Sequence, residues 1–472
     1  MSIKSLGKQS LVYGLGHVLA RLITFLLLPV YTNTFTQEEY GAISLAYAFI
    51  GFALIVYRHG MDTALMKFSV QTSGDERTKH ITTIVLSQIF TGCLFTLLIF
   101  ITRSYTAAWI LGVNKPEWIV FLCVILFLDC MWNLPLLILR AEEKAGPFIS
   151  LSLINVTVTM ILNIVFVVHQ EQGVVGVFRA NIIASALAFI LSVPILFKRI
   201  KLSFFDEKIF KKVIYFSMPF LPAGIFTMVM ELSDRYLLEW IMGTAEVGLY
   251  SAGKKMGMLG LTVVMAFNMG WTPYFLKRGK ELGAKFEFAK ITTFFLGLMS
   301  YICILVSLWI AEIMQLSING NNLIGSEFWE SQTIVKSILL GYFFFGTYVL
   351  QLPGIYIKEI TNWVPLFRII GAITLVASCS LLIPRIGFLG AAYGVVFAFF
   401  VMTIAIYMKT YKVYPISYNW RGIIIPIICL LMIQIDFNSA VLSVLISVLY
   451  PFFWYLFVLN KYEKEDLIKV FK

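Results

Sequence analysis

Ionisable side chains stand at depth within the apolar runs of this chain, and they limit the chemistry open to it. His17 and Arg21 lie four residues apart and so share one helical face, with Gly14 and Thr24 beside them. Lys254 and Lys255 occur in a second, glycine-bearing run, "GKKMGMLG", while Arg179 and Arg368 fall early in two others. A charge at bilayer depth costs about 2.5–3.5 kcal/mol on insertion scales, so each needs a wet cavity, a counter-charge or a ligand. Arg21 lies near the middle of its run, beyond snorkelling reach, and should face a cleft. Arg179 and Arg368 sit near run ends, where lining a cleft and snorkelling to headgroups both fit. Lys254 and Lys255 point about 100° apart on a helix, so one of them is free to serve packing.

Acids mark a second candidate region. "VMELSDRYLLEW" (229–240) crowds Glu231, Asp234, Arg235 and Glu239 into three turns. Glu231 and Arg235, spaced i,i+4, can pair along one helix, which leaves Asp234 to reach another. The stretch reads either as an ion-pair gate or as a direct ligand or cation site. Pro219 and Pro222, earlier in the same run, offer a bend about which that end could swing. Asp62, Asp129 and Asp234 are the candidates for proton or sodium coupling.

The elements that carry these groups must be membrane helices. Of 472 residues, 59% are hydrophobic and only 13% charged, and runs long enough to cross a bilayer recur along the chain. The fold class is all-α and polytopic. Fourteen spans can be drawn, near 11–31, 41–60, 80–101, 117–139, 147–168, 174–197, 211–231, 246–268, 288–311, 334–354, 362–384, 387–408, 422–436 and 439–459. The basic start "MSIKSLGKQS" leads into a long run without a small-residue cleavage site, so it reads as a first span rather than a signal peptide.

With both termini cytoplasmic, the inside segments collect Lys4, Lys8, Arg58, Lys67, Arg77, Lys79, Arg140, Lys144 and the clusters "FKRIKLSFFDEKIFKK" and "KRGKELGAK". The outer loops keep few basic residues, which sets the orientation. The net charge of +11 is then basicity of the cytoplasmic face, and no nucleic-acid partner is implied. Six cysteines lie in apolar runs without a C-x-x-C, so neither a metal site nor a disulfide framework is suggested. The loops are too short for a catalytic domain, and the four histidines are scattered, which argues against an enzyme.

The chain also repeats itself. "EEYGAISLAY" (38–47) matches "AEVGLYSAGK" (245–254), with Glu39 on Glu246, Gly41 on Gly248 and Ser44 on Ser251. "GVVGVF" (173–178) matches "GFLGAA" (387–392). Both offsets carry a span onto the span six later, so the halves share one orientation about an axis along the membrane normal. The expected organisation is an N-terminal lobe over 1–205, a C-terminal lobe over 206–410, and two further helices with a cytoplasmic tail over 411–472.

At this point a family resemblance emerges. "YFSMPFLPAGIFTMVMELSDRYLLEWIMGTAEVGLYSAGKK" (215–255) resembles the start of the second half in bacterial polysaccharide flippases. These are the Wzx-type O-antigen and exopolysaccharide transporters of the multidrug/oligosaccharidyl-lipid/polysaccharide exporter superfamily. The shared pattern is Pro219 and Pro222, then Ser233 to Tyr236, then Gly248, Tyr250, Ser251 and Lys255. "LLPVYTNTFTQEEYGAISL" (27–45) and "LLIPRIGFLGAAYG" (381–394) fit as well. Lys254 departs from the pattern, where an aromatic is commoner, and "IYIKEITNW" lacks an expected basic run.

The resemblance implies a bacterial inner-membrane carrier that flips undecaprenyl-diphosphate-linked sugar repeat units by alternating access, without a cofactor. Arg21, His17, Lys255, Lys254, Arg179 and Arg368 become the candidate pyrophosphate and sugar ligands. The expected partners are the lipid-linked oligosaccharide, membrane lipids, a proton or sodium counter-ion, and the polysaccharide polymerase and chain-length proteins. The alternatives are a multidrug/cation antiporter of the same superfamily, which would favour an acidic cleft, and a membrane enzyme of polysaccharide assembly.

Overall fold

The computed structural model describes residues 25–318, 320–435 and 439–470. His17 and Arg21 lie outside the described residues. The helices are α1 (Leu27–Thr34), α2 (Gln37–Arg58), α3 (Met61–Gln71), α4 (Gly74–Ile101), α5 (Arg103–Ile110), α6 (Pro116–Ala141), α7 (Ala145–Asn163), α8 (Gly173–Phe197) and α9 (Glu207–Ser217). They continue with α10 (Phe220–Met242), α11 (Thr244–Arg278), α12 (Ala284–Gln315), α13 (Gln332–Ile357), α14 (Trp363–Ile386), α15 (Phe388–Val413), α16 (Arg421–Met432), α17 (Ala440–Phe453) and α18 (Lys461–Val470). Among the described residues the strands form one two-residue ladder, Ser317–Ile318 with Asn321–Asn322.

Eleven expected spans coincide with helices long and apolar enough to cross a membrane. The other three differ for separate reasons. The first lies mostly outside the described residues. The eighth falls within the 35-residue α11, whose lysines and glycines dilute its apolarity. The thirteenth falls on α16, only 12 residues long.

Local chemistry fixes several helix boundaries. Thr36 accepts the Glu39 backbone N–H at 3.3 Å while Glu39 accepts that of Thr36 at 3.1 Å, a reciprocal cap that starts α2. Asp206 caps α9 by accepting the Lys208 and Ile209 N–H groups, and the Ile209 bond leads in holding its carboxyl below the usual range. Pro219 and Pro222 lack the N–H a helix interior needs, so α9 ends at Ser217 and α10 starts at Phe220. Both prolines stand where a missing donor is harmless, before or within the first turn of α10.

The chain divides into two compact units, Met1–Gly248 and Leu249–Lys472. In the first, α6 is the hub, packing on α2, α3, α4, α5 and α8. α10, expected at the opening of the second lobe, packs on α2 within this unit. The repeat-related residues Gly41 and Gly248 meet here. A Cβ on Gly41 would fall 1.9 Å from the Thr244 carbonyl oxygen, and one on Gly248 would fall 1.9 Å from that of Gln37. Gln37 is to Thr244 as Gly41 is to Gly248 in the repeat, so the contact is reciprocal, as a local two-fold requires. In the second unit α13 is largely buried among α12 and α15, with α14 hairpinned onto α15 and α16 and α17 on α12.

One charged clamp ties three segments of the first unit together. Glu142, just past α6, takes both Arg199 nitrogens in a fork, the Lys144 ammonium at 2.9 Å and Arg77 at 3.4 Å. Leu136, Leu139 and Leu151 pack beneath it with Trp132, Phe148 and Ile195. Hydrogen bonding from Arg199 leads in pulling the Glu142 carboxyl from 4.5 to about 2. A depressed folded-state pKa contributes stability above the unfolded value and loses it as pH falls toward the folded one. Glu142→Gln should therefore cost about 2 kcal/mol at pH 7, discounted for partial exposure. Thermal unfolding checks this: the gap between wild type and variant should close between about pH 4.5 and 2, and a pH-independent gap refutes the assignment.

Candidate functional site

The first unit holds a charge cluster built around a break in a helix. α2 ends at Arg58, His59 and Gly60 take left-handed φ values of 30° and 78°, and α3 resumes at Met61. Only glycine adopts such a conformation freely, and the fit here is tight besides. A Cβ on Gly60 would lie 2.2 Å from the Ser217 carbonyl oxygen and 3.1 Å from the Phe220 Cβ. The break in α2–α3 therefore abuts the break between α9 and α10.

A helix break in an apolar bundle frees backbone carbonyls that need donors. The Tyr57 carbonyl accepts from the Gln88 amide, and His59 Nδ1 lies 3.0 Å from it. Gln88 also reaches Cys130 Sγ at 3.2 Å, and the Tyr57 hydroxyl meets that of Thr96 at 2.9 Å. These polar side chains come from α4 and α6, and they fix the break in place.

The charges gather beside it. Arg58 is half-buried, and its Nε is buried without a hydrogen-bond partner among the described residues. Its guanidinium acts electrostatically on Asp129 of α6, and both Arg58 and Asp62 act on Cys130 next to it. Asp129 takes its hydrogen bonds from the Ser185 hydroxyl at 2.6 Å and the Trp132 indole at 3.0 Å. Ser185 also lies 3.4 Å from Asn181 Oδ1, and the Asn181 amide donates to the Tyr47 hydroxyl at 3.3 Å. Asp62, at the start of α3, accepts the Thr63 N–H at 2.8 Å. α2 thus brings the Arg58 guanidinium within electrostatic reach of the Asp129 carboxylate on α6, which a band of hydroxyls and amides from α6, α8 and α2 supports, with Asp62 of α3 acting on the same neighbourhood. Such a set can bind an oxyanion at the guanidinium and return to ion pairing when it leaves.

From sequence alone Arg58 counts among the basic residues of the inside segments, at the end of the second expected span (41–60), with no place in a site. The missed signal was "MDTALM" after it: apolar residues resume at once, as across a kink rather than past a span.

The other candidates are dispersed. Asp234 is fully buried and accepts the Arg235 N–H at 2.9 Å, whereas Glu231 is exposed. Arg235 acts on Tyr40 of α2 and Tyr236, and its Nε is buried without a hydrogen-bond partner among the described residues. Glu239 accepts the Thr244 hydroxyl at 3.0 Å, and Trp240 donates to the Trp109 carbonyl at 3.2 Å with the two rings 5.2 Å apart. Arg179 is exposed and donates to Gln172 at 2.9 Å. In the second unit Lys254 is buried with its ammonium 5.5 Å from the Tyr250 ring, Lys255 is half-buried, and Arg368 is half-buried near Tyr348.

The model of the family described as "Polysaccharide biosynthesis protein" matches residues 6–278, more than half of the chain. The chain belongs to that family. A provisionally named O-antigen transporter of Shigella flexneri is 22% identical to this family member over 410 residues, spanning 82% of the chain and 93% of the relative. A Haemophilus influenzae membrane protein is 23% identical over 355 residues, spanning 72% and 84%. Among solved structures, the lipid II flippase MurJ in an inward closed conformation matches with a TM-score of 0.77 at 14% identity, over 97% of the chain and all of MurJ. An inward-facing multidrug-resistance MATE transporter of the MOP superfamily matches at 0.67 and 14% identity, over 84% of the chain and 97% of that protein. The polysaccharide biosynthesis protein therefore shares the fold of these MOP-superfamily structures and carries many helices long and apolar enough to cross a membrane.

Proposed function

We propose that the protein flips undecaprenyl-diphosphate-linked oligosaccharide repeat units from the inner to the outer leaflet of the bacterial cytoplasmic membrane. The observation that carries this reading is Arg58, a cation held at a helix break with its Nε lacking a hydrogen-bond partner among the described residues. A diphosphate must shed water to cross, and a fixed guanidinium can replace that hydration through paired oxygens. Asp129 and Asp62 serve as counter-charges when cargo is absent. The carboxylate released when a diphosphate takes the guanidinium is then open to a proton or sodium ion. Arg21 and His17, with Lys255 and Lys254, are further proposed cargo cations. Outward movement of the anionic headgroup is assisted by an inside-negative potential, about 2.3 kcal/mol per charge per 100 mV.

The test is a strain lacking the protein and supplied with all the enzymes of repeat-unit synthesis. Lipid-linked repeat units should accumulate in the cytoplasmic leaflet, shielded from externally added glycosidase, and become accessible on complementation. Accumulated units that are already accessible without the protein, or resistance to cationic drugs gained on complementation with no change in the units, would replace this reading with the antiporter one.

A further inference from the structure

Two lysines from different helices of the first unit converge on one buried ring. Lys67 of α3 places its ammonium 5.4 Å from the centroid of Phe68 and 3.9 Å from that of Phe216. Lys212 of α9 places its ammonium 5.2 Å from the same Phe68 ring. That ring is held twice, stacked on His80 of α4 at 4.8 Å and edge-on to Phe216 of α9 at 5.8 Å. An aromatic face attracts a cation without neutralising it, so two ammoniums drawn to one ring still repel each other. A second pair shows how this chain answers the same repulsion by itself. Lys79 and Lys201 share the Phe204 ring at 5.9 and 4.9 Å, and there Asp75 stands 3.9 Å from the Lys201 ammonium. Lys67 and Lys212 have no carboxylate at ion-pair distance among the described residues.

We propose that their counter-charge is the phosphate of an anionic glycerophospholipid, which accepts from both ammoniums and joins α3 to α9. The surroundings fit a lipid better than a soluble anion. α9 packs on α3 and α4 and is amphipathic, with Ile209, Val213 and Phe216 recurring at i, i+4 and i+7. Lys208, Lys211 and Lys212 stand beside that stripe. Tyr215 is 86% exposed, and Leu202 and Phe205 are exposed just before the helix. Lysines mixed with outward apolar groups suit the headgroup layer of a bilayer, where each basic residue draws anionic lipid. Lys212 is exposed and Lys67 half-buried, which leaves the pair open to a headgroup. A choline lipid also carries a phosphate, but its own cation would be brought up against two ammoniums.

Full-length protein in detergent micelles, titrated with chain-matched phosphatidylglycerol and phosphatidylcholine and read by native mass spectrometry, tests this. Phosphatidylglycerol should bind about tenfold tighter than phosphatidylcholine. Lys67→Gln and Lys212→Gln should each weaken it about fivefold and leave phosphatidylcholine unchanged. Lys208→Gln removes the same charge from α9 outside the pair and should weaken it less than about twofold. A measurement on the wild type guards against variants that lose their fold. Phosphatidylglycerol, but not phosphatidylcholine, should slow acetylation of Lys67 and Lys212 by an amine reagent, with Lys208 reacting equally fast in either lipid. Equal binding of the two lipids, or acetylation of the pair that phosphatidylglycerol does not slow, overturns the proposal. So does a loss from Lys208→Gln as large as that from Lys212→Gln, which would make the attraction a diffuse property of a basic face. Displacement of the lipid by excess inorganic phosphate would make the pair a soluble-anion site, and displacement by undecaprenyl diphosphate a cargo site. Either result replaces the phospholipid.

Discussion

Arg58→Ala is expected to reduce surface polysaccharide on the order of 100-fold while the protein still reaches the membrane, the loss of a paired, charge-assisted contact worth about 2–3 kcal/mol. The guanidinium stands at a helix break, half-buried, with Nε unpartnered among the described residues and with Asp129 and Asp62 as nearby acids. Two roles account for such a group. As a cargo ligand it is needed in transport itself, whereas as a counter-ion it only neutralises Asp129. Arg58→Ala combined with Asp129→Asn separates them. A counter-ion role predicts that the double variant recovers, because no uncompensated carboxylate is left in the bundle. A cargo role predicts that it stays inactive and that Arg58→Lys keeps part of the activity, since charge survives while the fork is lost. Export from the double variant at wild-type level would remove Arg58 from the binding machinery.

How much of this could be read from the sequence depends on which physical signal carries each feature. Hydropathy located most of the spans, because the requirement to satisfy every backbone group in lipid leaves the helix as the one regular choice for an apolar run. The α9–α10 break was legible as well, since Pro219 and Pro222 act locally. The break at His59–Gly60 was not. A glycine after a histidine ends a helix in one context and kinks it in another, and the difference here lies in Ser217, more than 150 residues away, whose carbonyl fills the space a side chain would need. Counting Arg58 with the basic residues of the cytoplasmic face left the cluster unseen. The Gly41 and Gly248 pair shows the opposite case. Sequence alignment of the halves equated the two glycines, and their mutual contact explains why both positions lack a side chain. The isolated cations Arg179 and Arg368 looked alike in the sequence, yet Arg179 is exposed beside Gln172 and Arg368 is half-buried, a distinction only neighbouring helices make.

Gly60→Ala should nearly abolish export, through the hinge rather than through any charge. Holding alanine at a positive φ costs about 1–3 kcal/mol, and its methyl would also enter the Ser217 carbonyl at 2.2 Å. The contact joins two helix breaks, the left-handed pair after α2 and the proline-enforced gap before α10. A hinge at Pro219 and Pro222 would make movement of α10 press on the segment that presents Arg58 and Asp62, so that the acidic stretch 229–240 and the charge cluster would move together. A second variant keeps this distinct from simple misfolding. Pro219→Ala with Pro222→Ala restores two backbone donors and favours a continuous helix from α9 into α10, so stability should hold or rise. Export should nonetheless fall, because the break is lost. Protein level, melting temperature and export measured together on both variants give the answer. If the double proline variant exports normally with unchanged stability, the two breaks are features of packing and not a working hinge.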